Sequence, residues 1–261
     1  MEPFKPLQRQ AAPNPLTHLR RLQWDWFFQE KSSAETFPHV LFTPIHYEPG
    51  YAYPLLVWLH GPGTDERQLM RIMPRISLRN YVAIGVRGVL REEAGIGKMP
   101  DRDQGIPRYG WPQRPEAIDK ARERVFQAIE MACSKRHVHR RRIFLVGSRS
   151  GGTMAFRIAL EQPSLFAGVI SLGGPLPKGG SFLRNFARLG HLEVLLTATR
   201  NCPSYPTSLV CENLRLLHRA GFSGIMVREY PDGWHLSPPM LRDVDRWLME
   251  RITQGASSPH L

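Results

Sequence analysis

The sequence predicts an α/β fold: a mostly parallel central sheet of about seven or eight strands with helices on both faces. Three observations predict it. Short apolar runs alternate along the chain with stretches of helical pattern. The runs are continuously apolar, without the in-out alternation of a half-exposed sheet, so both of their faces need cover. The length of 261 residues suits one large α/β domain with a substantial core.

The elements follow in order. Residues 1–15 are rich in Pro and Gln and read as extended chain. A first helix is expected over Leu16 to Gln29, with Trp24, Trp26, Phe27 and Phe28 packing against the sheet. Apolar strands are expected at Val40–Thr43, Leu55–Leu59, Tyr81–Val86, Ile143–Val146, Gly168–Leu172, Glu193–Thr197 and Ile225–Glu229. Helices are expected near Glu66–Met73, Pro115–Lys135, Gly152–Glu161, Thr207–Ala220 and Pro238–Ile252. A long connection rich in Gly, Pro and charge, Arg87 to Arg114, has the length of a lid or binding element. The chain divides into an N-terminal extension (1–34), one main domain (35–252) and a flexible tail (253–261).

Composition narrows the class. No apolar run reaches the roughly 20 residues of a membrane span. The first residues lack the apolar core of a secretory signal. Cys133, Cys202 and Cys211 are an odd, sparse set, which fits reduced thiols and a cytoplasmic location. The net charge is +12, carried almost wholly by arginine. The arginines are spread from Arg9 to Arg251, so no specific nucleic-acid site is expected. Their densest run, Lys135 to Arg142, falls between a helix and a strand, where a solvated connection is expected. Cys133, His137 and His139 lie close in sequence, but their basic surroundings repel a cation, so no metal site is expected. No cofactor motif is present in the sequence.

Four segments carry chemistry. Leu56-Val57-Trp58-Leu59-His60-Gly61 is a strand followed by a His-Gly turn. Arg142 to Gly147 leads into Ser148-Arg149-Ser150-Gly151 and then a helix. Val194 to Ala198 runs on to Pro206, and Tyr230-Pro231-Asp232-Gly233-Trp234-His235 precedes the last helix. Together they resemble an α/β-hydrolase of the phospholipase/carboxylesterase branch, similar to acyl-protein thioesterases, over about Val40 to Met249. The resemblance implies an oxyanion turn at His60-Gly61, a nucleophile elbow Gly-x-Ser-x-Gly at Gly147–Gly151, an acid after the Glu193 strand, and the triad histidine at His235.

Three positions depart from that pattern. Arg149 stands at the nucleophile position, and a guanidinium does not attack esters. Ser150 is the alternative nucleophile, but it lies one residue into the helix, turned by about 100° from the apex. Its backbone N–H is the group expected to face the oxyanion site. At the acid position the chain offers Cys202 or Asn201, neither a carboxylate. Pro62 follows His60-Gly61 and has no N–H to donate. One lost oxyanion donor typically costs about 10²–10³ in rate, unless Gly63 takes its place. The expected pocket comprises Gly61, Pro62, Gly63 and Ser150, with Tyr109 or Trp111 contributed by the long connection or packed against the sheet. The readings left open are a pseudo-hydrolase that holds a small anionic ligand or a protein partner, a vestigial site, and an active ester hydrolase using Ser150 and His235.

Overall fold

The computed structural model describes residues 28–31, 37–90, 109–179, 191–231 and 236–254. Its elements begin with β1 (Phe28–Lys31), β2 (His39–Phe42), β3 (Tyr53–Leu59), α1 (Gln68–Ile76), β4 (Val82–Val86), β5 (Val89–Leu90) and β6 (Tyr109–Gly110). They continue with α2 (Pro115–Lys135), β7 (Val138–Ser148), α3 (Ser150–Glu161), a 3-10 turn (Pro163–Leu165) and β8 (Gly168–Leu172). The last are β9 (Glu193–Thr199), α4 (Thr207–Arg219), β10 (Ile225–Tyr230) and α5 (Pro238–Gln254).

Among the described residues the main sheet has eight strands in the order β1-β2-β4-β3-β7-β8-β9-β10. β2 runs antiparallel to both of its neighbours. Every other pairing in this sheet is parallel. β3, β4 and β8 are buried along their whole length, as their unbroken apolar sequences demand. Their side chains alternate between two cores. Leu55, Val57 and Leu59 pack under α2, α3 and α4, beside Val125, Phe156 and Leu217. Leu56 and Trp58 face α1 and α5, beside Leu69, Met73, Val244 and Trp247. The sheet is therefore covered on both faces, in agreement with the sequence.

Four expectations change. The helix over Leu16 to Gln29 lies outside the described residues except at its end, and there Phe28 and Gln29 are in β1. The connection from Arg87 contains a small hairpin, in which Val89 pairs Gly110 and Leu90 pairs Tyr109. The basic run is no loop: Lys135 ends α2, and Val138 to Arg142 already belong to β7. The last helix continues through Thr253 and Gln254, which the sequence suggests are frayed.

Tyr81, fully buried just before β4, donates its hydroxyl to Asp245 Oδ1 of α5 at 2.8 Å. Burial first, then the hydrogen bond to Asp245, push this phenol far above its ordinary pKa, so the hydroxyl always donates. The bond pins α5 to the sheet. Tyr81→Phe is expected to lower unfolding free energy by about 2 kcal/mol, read as a lower urea midpoint at unchanged slope.

Candidate functional site

Parallel strands bring their C-terminal ends to one edge, and that edge is where such sheets place sites. Leu59 of β3 pairs Gly147 of β7, Ser148 pairs Leu172 of β8, and Leu172 pairs Thr197 of β9. Three of the four sequence segments thus converge. His235 lies outside the described residues.

The turn from β7 into α3 is sharp because backbone packs on backbone. A Cβ on Gly147 would lie 2.3 Å from the carbonyl carbon of Gly151. One on Gly151 would lie 2.3 Å from the carbonyl oxygen of Leu59. Only glycine allows this approach. Between them Arg149 takes φ 52° and ψ −115°, a conformation that costs a residue with a Cβ about 1–3 kcal/mol. Hydrogen bonds hold it there: Arg149 N–H donates to Leu172 O at 2.9 Å, and Thr153 N–H to Arg149 O at 3.1 Å. The strained residue is Arg149. Ser150 is the first residue of the helix, half-buried, and Ser148 is buried beneath the turn against Gly61.

The turn after β3 is closed by its own hydrogen bonds. Gly61 N–H donates to Gln68 Oε1 at 3.0 Å, an oxygen that also takes the Trp58 indole N–H at 3.0 Å. Pro62 has no N–H. Gly63, the substitute donor expected from sequence, gives its N–H to Tyr109 O at 3.2 Å. Its φ of 72° suits glycine. The amide hydrogens at 61 and 63 are therefore both engaged within the protein. Those of Ser150 and Gly151 head α3, where no intrahelical acceptor exists for them.

His60 organises this turn. It is fully buried, and its Nε2 accepts from Gly88 N–H at 3.0 Å, so Nδ1 carries the proton and donates to Gly61 O at 2.8 Å. Burial, the largest effect, holds the imidazole below its ordinary pKa. Trp111, expected along the pocket or against the sheet, is buried behind the turn, its indole N–H on His60 O at 2.9 Å. Tyr109 is half-buried, with the Arg87 guanidinium 4.8 Å above its ring. Arg87 in turn forms a two-pronged ion pair with buried Glu66.

The loop after β9 carries Asn201 and Cys202, where the family resemblance places the acid. Asn201 is exposed with φ 56°, the left-handed turn conformation that Asn tolerates. Cys202 is half-buried, its Sγ 3.3 Å from Ser204 Oγ. Partial burial pushes the thiol up. The Ser204 hydroxyl, the N–H groups of Tyr205 and Ser204 and the Arg149 guanidinium outweigh it and hold the thiol below its usual value. Arg149 and Cys202 therefore share one electrostatic environment. Arg200 is exposed and directed at Glu229, Nε to Oε2 3.4 Å. Gln68, Ser204 and the buried role of His60 escape sequence reasoning; Gln68 carries no local signal, because its contacts are made by a side chain from the next helix.

The strand order, the antiparallel β2 and the elbow define an α/β-hydrolase fold. The chain belongs to the phospholipase/carboxylesterase family, whose model matches residues 48–248. Among solved structures it is similar to a Bacillus cereus carboxylesterase at 18% identity, covering 88% of this chain and 98% of that one, TM-score 0.62. A Mesorhizobium loti carboxylesterase is 20% identical over 84% of this chain and 98% of that one, TM-score 0.61. Zea mays acyl-protein thioesterase 2 is 16% identical over 83% of this chain and 99% of that one, TM-score 0.63. At such identities the likeness is one of fold. No curated protein matches the sequence.

Two measurements check the site. In the unfolded chain His60 takes up a proton near its ordinary pKa of about 6.5, whereas the folded imidazole resists it. Its contribution to stability is complete above that pH and is lost as pH falls through it towards the folded value. His60→Gln is expected to flatten that part of the urea-stability profile relative to the parent. At position 149, Arg149→Gly is expected to be more stable than Arg149→Ala by about 1 kcal/mol, the reverse of the usual glycine penalty, by thermal unfolding.

Proposed function

We propose that this chain is a pseudo-hydrolase whose elbow holds a small carboxylate or phosphate and does not cleave esters. The observation that carries this reading is Arg149 on the strained apex backbone where a nucleophile is displayed in the family pattern. A permanent cation cannot act as the nucleophile, but it stands beside the N–H groups and positive dipole end of α3, where negative charge is favoured. Behind the hydrogen bonds from Ser204 and Tyr205, the Arg149 charge adds to the lowering of the nearby Cys202 thiol. The engaged amides of Gly61 and Gly63 support the absence of a catalytic oxyanion hole. The similar solved structures are carboxylesterases and a thioesterase, and a carboxylate is what remains when an ester is cut. The competing reading is an active ester hydrolase that uses Ser150 and His235.

A fluorophosphonate probe separates the two. No labelling of the parent protein is expected; labelling of Ser150 that Ser150→Ala removes sinks the pseudo-hydrolase reading. Acetate or phosphate is expected to raise the melting temperature, and Arg149→Ala to abolish that rise. Arg149→Ser alone is expected to leave p-nitrophenyl ester hydrolysis near background, because acid and oxyanion donor are lacking as well.

A further inference from the structure

The end of the sheet opposite the elbow has its own composition. β3 advances two residues, from Tyr53 to Leu55, while its partner β7 advances five, from Val138 to Ile143. The three extra residues form a bulge in the segment His139-Arg140-Arg141-Arg142. Arg140 pairs with Glu130 of α2 through two hydrogen bonds, at 2.9 and 3.1 Å. Arg141 is exposed and Arg142 half-buried, and neither forms an ion pair with the described residues. Lys135, Arg136 and His137 precede them at the end of α2. His139 senses this field: burial first, then the charges of Arg142, Arg141 and His137, hold its imidazole below the ordinary value.

Apolar side chains share this end. Among the described residues the large apolar side chains most open to solvent are Tyr51, Leu165 and Met249. Tyr51 precedes β3, its ring edge-on to Tyr53 at 4.7 Å, and Tyr53 N–H donates to His137 O at 2.8 Å. Leu165 precedes β8, where Ala167 N–H donates to Ile143 O at 2.8 Å. Met249 lies towards the end of α5. That helix runs back from Met240, beside Thr197 near the end of β9, to Arg251, beside Glu193 at its start. All three sit where parallel strands begin and their covering helices finish.

We propose that this end docks onto an anionic lipid bilayer. Arginines answer phosphate and carboxylate headgroups, and Tyr51, Leu165 and Met249 enter the interfacial layer. Two of the three apolar groups are aliphatic and do not offer the ring face that stacks on a nucleic-acid base. No helix among the described residues is long and apolar enough to cross a membrane, so the contact is peripheral.

The test is co-sedimentation of the full chain with phosphatidylcholine vesicles, with and without phosphatidylserine. Binding is expected only to vesicles containing phosphatidylserine, with release at raised salt. Arg141→Glu with Arg142→Glu is expected to cut partitioning by about tenfold or more. Arg141→Ala with Arg142→Ala, a milder pair should charge reversal impair folding, is expected to cut it several-fold. Tyr51→Ser with Leu165→Ser is expected to weaken binding without changing its salt dependence. Arg67→Glu with Arg71→Glu, an equal charge reversal at the opposite end, is expected to keep it. Equal loss in that control, no binding by the parent chain, or binding of short duplex nucleic acid through Arg141 and Arg142 in place of vesicles each overturns the proposal.

Discussion

The start of α3 lies against the end of β3 with no side chain between them. Gly151 meets the carbonyls of Leu59 and His60 at distances where a Cβ does not fit. This backbone-to-backbone contact locks the elbow and the His-Gly turn into one rigid unit. The neighbouring contacts extend that unit. His60, buried and neutral, ties the turn to Gly88 beyond β4, and Trp111 ties it to the entry of α2. Arg87, braced by Glu66, covers the ring of Tyr109, whose carbonyl closes the turn at Gly63. The architecture around the elbow is therefore tightly connected.

Arg149 and the N-terminus of α3 place positive charge together at this turn. A hydrolase elbow gathers helix-head amides so that an oxyanion is stabilised for a moment while a nucleophile attacks. Here the amides of α3 are joined by a guanidinium on the apex. The two remaining amides of the β3 turn face inward to Gln68 and Tyr109. In the proposed function this field holds a ground-state anion, and binding a ground state tightly does not accelerate chemistry.

Much of the fold was legible because burial on both faces of a strand leaves an unbroken apolar word in the sequence. Val82–Val86 and Gly168–Leu172 are such words, and α2 is found at its predicted bounds, Pro115 to Lys135. The start of β7 was not legible. Its residues 139–142 are polar because they bulge from the sheet, and a bulge breaks the pattern that announces a strand. Phe28 and Gln29 were assigned to a helix because aromatic clusters suit either class, and pairing with β2, a long-range contact, decides for strand. At the site, Arg149 and Pro62 could be read as departures because the resemblance to the family pattern marks their positions. The engagement of Gly63 with Tyr109 could not, because its acceptor lies on a backbone brought in by a separate hairpin.

The conformation at residue 149 is held by the backbone hydrogen bonds of the turn, and a residue with a Cβ there bears its strain. In an enzyme, strain of this kind is the cost of presenting one reactive atom clear of its neighbours. This chain keeps that presentation with a longer, charged group. Here the residue on that backbone carries a guanidinium whose charge is felt at Cys202 in the loop after β9. What the elbow's backbone confers is display, and the group displayed is whatever side chain residue 149 carries.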